Sequence, residues 1–141
     1  MANLEMFRGL QEIDLSRNVL IDVTKVKFGT LQRLKKLDLS RNLLETLPSD
    51  ITNCPSLEQL LIHRNKLSSL PEGMGNMRSL IILDASFNLI VSVGDELEEL
   101  FNLQELNLTN NDRLFTEDMG TRTRRLFDKV CKDYLSVYMT T

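Results

Sequence analysis

The stretch LKKLDLSRN, Leu34 to Asn42, sets leucines at intervals of three and then two residues and closes on an asparagine. A helical stripe has a period near 3.6 and a simple strand has a period of 2, so neither describes it. A longer period does. Aligned on their first leucine, LQEIDLSRN from Leu10, LKKLDLSRN from Leu34, LEQLLIHRN from Leu57, LIILDASFN from Leu80 and LQELNLTNN from Leu103 are five copies of one pattern. They are spaced by 24, 23, 23 and 23 residues, and Asn18, Asn42, Asn65, Asn88 and Asn111 all occupy the ninth place.

Within each copy, the fourth and sixth places lie two apart, so an extended strand turns both to one face and sends the residues between them to the other. Each coil offers one apolar edge that it cannot bury alone. Stacking neighbours bury it, which predicts a solenoid with a parallel sheet along one side. The asparagines then have a structural job. Where the chain leaves the strand, backbone groups turn inward without strand partners, and a buried unpaired group costs roughly 1–3 kcal/mol. An amide carries both donor and acceptor, so a stacked column of asparagines can serve backbone on its own coil and the next.

The motif LxxLxLxxN resembles that of the leucine-rich repeat family, and the match covers nearly the whole chain. The LxxLP extensions in LETLP and LSSLP, ending at Pro48 and Pro71, are similar to the cytosolic, Ras-scaffold type of repeat. The resemblance implies an α/β fold: a curved horseshoe segment of solenoid with a parallel β-sheet on the concave side and a C-terminal capping helix. It also implies protein partners such as small GTPases, phosphatases or kinases.

Composition sets bounds on these expectations. The chain has 141 residues, enough for one domain with a core, and a net charge of −3 without runs of like charge. Nucleic acid is therefore not an expected partner. No apolar run approaches the ~18 residues of a membrane span, and MANLEMFRGL lacks the form of a signal peptide. Cys54 falls in a column with Leu31, Met77 and Leu100 and reads as a small core hydrophobe, while Cys131 stands far off. The ends carry no clustered cysteines, so a reducing, cytoplasmic setting is expected. The sequon at Asn107 lies inside an expected strand. With one histidine and no His/Cys cluster, neither a metal nor a cofactor is expected.

Residues 10–115 are thus read as five repeats, residues 1–9 as the tail of a partial repeat, and residues 116–141 as a capping helix and tail. Leu126, Phe127, Val130, Cys131, Tyr134, Leu135 and Tyr138 form the apolar stripe of that helix. Leu4 and Phe7 fall in the columns of Ile51 and Cys54, and the strand around Ile13 is expected to be an open edge. That edge implies either a longer array or cover by a second copy of the chain. On the return segments, Leu47, Leu70 and Val93 form one inward column and Ile51, Met74 and Leu97 another. Gly94 to Phe101 is the best candidate helix among them.

Functional residues are sought at strand positions that the fold leaves free. Leu61, Ile82 and Phe87 interrupt otherwise polar columns on adjacent coils, and with His63 they form an apolar patch suited to binding. The plain alternative is that they only strengthen a central strand. Asp38, Asp84 and Arg64 flank the patch. Asp14 and Asp38 lie one strand spacing apart, and Arg17, Arg41 and Arg64 run parallel to them, which reads as mutual neutralisation on a wet surface. Ser40, His63 and Ser86 with Asp38 and Asp84 can be drawn as a triad, but an open sheet face suggests neither an oxyanion site nor a pocket, so an enzyme is not expected. GMG at Gly73 is no phosphate loop. The expected function is a non-catalytic module that binds a protein on its concave face in signalling or scaffolding. The alternatives are self-association through the N-terminal edge or a recognition segment of a larger receptor or effector.

Overall fold

A computed structural model describes residues 4–114. The expected capping helix falls outside them. Five three-residue strands, β1 (Glu12–Asp14), β2 (Lys36–Asp38), β3 (Gln59–Leu61), β4 (Ile82–Asp84) and β5 (Glu105–Asn107), form one parallel sheet in chain order. Ile13, Leu37, Leu60, Leu83 and Leu106 pair in successive register, as the repeat requires. Leu34, Leu37 and Leu39 of the second coil are fully buried, as are Leu57, Leu60 and Ile62 of the third. At ~25 cal/mol per Å² of apolar surface, such side chains contribute about 1.5–3 kcal/mol each, but only while a neighbouring coil covers them.

The asparagine column forms a continuous polar seam. Asn65 Nδ2–H donates to the carbonyls of Ile62 in its own coil (3.1 Å) and Leu39 in the preceding one (3.0 Å), while its Oδ1 accepts the Leu44 N–H at 3.0 Å. Asn42, Asn88 and Asn111 repeat the pattern, with Oδ1 accepting from Leu20, Leu67 and Ile90 respectively. The amides therefore reach back, serving their own coil and the one before it. Each sixth-place carbonyl from Leu15 to Ala85 receives two amides. Asn18 is exposed and, among the described residues, bonds within its own coil alone, to Leu15 and Ser16.

A second seam runs along the opposite turn. Ser56 Oγ donates to the Gln32 carbonyl, Ser79 Oγ to that of Pro55 and Asn102 Nδ2 to that of Arg78, at 2.8, 2.8 and 2.7 Å. Each bond spans 24 residues. The convex side interlocks as well: Gly29 N–H donates to Asp50 Oδ2 at 2.8 Å, and a Cβ on Gly29 would meet Asp50 Oδ1 at 2.9 Å.

The convex returns are short 3-10 turns. The expected helix at Gly94–Phe101 is one of these, Asp95–Glu99. A 3-10 turn rises ~2.0 Å per residue against 1.5 Å for an α-helix, so it covers the return in fewer residues before β5 must begin. Ile51, Met74 and Leu97 are buried as expected, and so are Cys54, Leu31, Met77 and Leu100. Leu70 and Val93 are only half-buried, since they line the walls of open grooves on this side. Phe7, placed by its column in the core, is instead 50% exposed, because no described coil stacks on its outer side.

Asn65→Ala strands the Leu44 N–H and is expected to lower unfolding free energy by about 2 kcal/mol in urea titration, against less than ~1 kcal/mol for Asn18→Ala. Burial, with the Asp50 charge nearby, raises the Cys54 thiol from 9.0 to about 12, and its Sγ lies 3.2 Å from the Phe28 carbonyl. In a Cys131→Ser background, Cys54 should resist iodoacetamide until the chain unfolds. Because the folded thiol holds its proton more tightly than the unfolded one, stability should fall as pH rises from about 9 towards 12.

Candidate functional site

Residues at the third and fifth places of the motif project from the outer face of the sheet. In register, the fifth places read Asp14, Asp38, Leu61, Asp84 and Asn107. Four of these five have a local task. Asp14, Asp38 and Asp84 accept the backbone N–H two residues on, from Ser16, Ser40 and Ser86, at 2.9, 2.9 and 3.0 Å. Asn107 does the same for Thr109 at 3.1 Å. Each closes an Asx turn that ends the strand. The hydrogen bonds from Ser16 hold the Asp14 carboxyl below its usual pKa. Leu61 breaks the series, since an aliphatic side chain can accept nothing.

Leu61 is half-buried between Asp38 and Asp84, and Ile82 is half-buried beside Gln59 and Glu105. His63 Nδ1 lies 3.6 Å from Asp84 Oδ2, beyond hydrogen-bonding distance, and no other group among the described residues satisfies it. Asp84 Oδ1 is already engaged by both the N–H and the hydroxyl of Ser86, the latter at 2.7 Å. Ser86 thus gives its hydrogen to Asp84 rather than to His63, which is not the nucleophile-to-base link that a triad needs. Lys36 is paired with Glu12 at 2.9 Å, which raises its pKa.

The eighth places behave differently. Arg17, Arg41, Arg64, Phe87 and Asn110 all adopt a left-handed backbone, with φ between 52° and 56°. Their side chains are exposed along the rim where the sheet ends. The Arg64 guanidinium lies over the Phe87 ring, 4.1 Å from its centroid. Phe87 is 42% exposed, and Leu89 and Val91 of the same coil are exposed with it. Places ten and twelve carried this signal in the sequence. Ile82 and Phe87 stand five residues apart, at most ~17 Å of chain, so the seven candidates span a band across coils two to four from sheet to rim. Arg17 and Arg41 extend the rim beyond them.

Among the described residues, no group of three or more His, Cys, Asp and Glu side chains is placed to hold a metal, and no helix is long and apolar enough to cross a membrane.

The leucine rich repeat family model matches residues 8–67. An adenylate cyclase of Podospora anserina is 34% identical over 103 residues, 73% of this chain and 5% of the cyclase. A transforming growth factor beta activator of Danio rerio, LRRC33, is 32% identical over 125 residues, 87% of this chain and 18% of the relative. The ectodomain of the Arabidopsis thaliana receptor kinase GASSHO1/SCHENGEN3, solved in complex with Casparian strip integrity factor 2, superposes with a TM-score of 0.67 at 30% identity. That match covers 75% of this chain and 13% of the ectodomain. The chain thus spans less than a fifth of each of these proteins.

A left-handed residue with a Cβ costs about 1–2 kcal/mol, and asparagine tolerates the conformation best among residues other than glycine. Arg41→Asn is therefore expected to hold or raise unfolding free energy by up to about 1 kcal/mol, measured in urea; a loss larger than that would mean that the coil needs the arginine.

Proposed function

This chain is a leucine-rich repeat protein, a protein-interaction module by fold, and from that premise we propose that its concave face binds a protein partner without catalysis. Leu61, His63, Ile82 and Phe87 supply the apolar contacts, flanked by Asp38, Asp84 and Arg64. The observation that carries the reading is Phe87. A bulky ring is held 42% exposed at a left-handed position, at a cost of about 1–2 kcal/mol, with a guanidinium over one face. An exposed aromatic anchor stacked under a guanidinium suits burial against a partner, where such residues carry most of the binding energy. The factor bound to the Arabidopsis ectodomain supports the same use of the fold. The cyclase relative lends no catalytic role, since the likeness spans 5% of it.

We assign the module to cytoplasmic signalling or scaffolding, with a small GTPase, phosphatase or kinase as the partner type. The LxxLP turns and the buried free thiol of Cys54 support this reading. A second reading, self-association beside β1, draws on Met6 just before the first coil and on Val19 and Ile21 within it, which are 83%, 80% and 72% exposed. Sedimentation at several concentrations decides it: a strict monomer removes that reading.

Replacing Leu61 and Phe87 by alanine should leave melting within about 3 °C of the parent and weaken a captured partner by more than ~1 kcal/mol each. Unchanged affinity, measured by titration calorimetry, would move the interface off this face.

A further inference from the structure

We propose that Arg17, Arg41 and Arg64 form a docking rim for an acidic, extended segment of the partner protein, a proposal that rests on the concave-face reading and names the partner's chemistry. The three residues occupy one place on successive coils. Their N–H groups continue the sheet ladder, donating to the carbonyls of Ser40, His63 and Ser86 at 3.0, 2.9 and 2.9 Å. The side chains therefore leave the backbone about one strand spacing apart, ~4.8 Å.

The fold does not ask for arginine there. The position is left-handed in every coil, and in the fifth it is filled by Asn110, which suits that conformation. Three arginines in a row at a place that disfavours them are explained by their head groups.

Those side chains are exposed, that of Arg64 over the Phe87 ring, and among the described residues none is in contact with a carboxylate. Asp14, Asp38 and Asp84, the acidic column on the same face, are each tied by an Asx turn to the serine two residues on, and the Arg17 charge reaches Asp14 only through space, as a minor part of what holds its carboxyl down. Among the described residues, no carboxylate oxygen comes within 4.0 Å of the three guanidiniums, so such neutralisation as Arg17 gives Asp14 acts through space and leaves the forks open to a partner's carboxylates. Lys36, on the same face, is by contrast matched to Glu12.

A column of planar, permanently charged forks complements a string of carboxylates, each able to accept two parallel hydrogen bonds. The net charge of −3 opposes a long polyanion such as nucleic acid or an anionic membrane, which feels the whole protein, more than it opposes a short acidic segment. The column ends on Phe87, so the segment carries an apolar residue at its fourth-coil end.

The test is fluorescence anisotropy with a labelled peptide of six glutamates followed by phenylalanine and leucine. The peptide should bind at low salt and weaken ~2- to 5-fold with each of Arg17→Ala, Arg41→Ala and Arg64→Ala. The triple charge reversal R17E/R41E/R64E should weaken it by more than ~10-fold, since the sites act nearly independently. A six-lysine counterpart should not bind. Circular dichroism checks that the variants fold, and arginine-to-asparagine variants replace any that do not. No binding below roughly 1 mM, or equal binding by the triple variant, overturns the proposal. So does tighter arginine-dependent binding of a twelve-thymidine strand or of phosphatidylserine vesicles. The arginine variants leave Leu61 and Ile82 in place, so their failure overturns the rim alone, whereas failure of the Leu61 and Phe87 variants overturns the patch.

Discussion

One side-chain amide in each of the second to fifth coils, giving its hydrogens to carbonyls on two coils and taking an N–H on its oxygen, is the interaction on which the structure depends. Without it, each turn out of the sheet would bury unpaired backbone, and the apolar places that make stacking favourable could not close. The Asn42, Asn65, Asn88 and Asn111 seam solves this in the same way each time, because every coil presents the same groups at the same height. Ser56, Ser79 and Asn102 do a lighter version of the task at the opposite turn. The coils are thereby fixed to one another at both ends of the strand, and the core leucines fill the space between.

That regularity is what leaves the outer face free to vary. The residues facing the core and the seams are spoken for, and so, through the Asx turns, are most of the fifth places. What the repeat does not dictate is then easier to see. Leu61 stands where a turn-closing carboxylate would be, Phe87 stands in a left-handed position beneath a guanidinium, and three arginines stand at the same place with no carboxylate in contact among the described residues. A rigid sheet that holds such residues at fixed spacing loses little entropy when a partner docks.

Much of this was legible in the sequence, for a definite reason: a pattern repeated five times reports its buried places five times. The strand register, the core columns, the burial of Cys54 and the structural role of the asparagines all came from that periodicity. The features that escaped it are those that depend on three-dimensional reach. Nothing in LxxLxLxxN says that the amides point back to the preceding coil, or that the residue before each asparagine is left-handed. The Asp-x-Ser spacing at Asp14, Asp38 and Asp84 carried the Asx turn and was read instead as charge. The serines at Ser56 and Ser79 could have announced the second seam, as they hold one place in two repeats. Gly94–Phe101 read as a helix because its local propensity is helical, whereas the distance to be covered before β5 decided for a 3-10 turn.

The central claim is that no coil keeps its fold without its neighbours, and amide hydrogen exchange tests it most directly. The Leu44, Leu67 and Ile90 N–H groups, each bonded to the asparagine of the following coil, are predicted to exchange together, at the rate of global unfolding, and to be released together in Asn65→Ala. Separate release of the three, coil by coil, or exchange as fast as at exposed turns, would contradict the account.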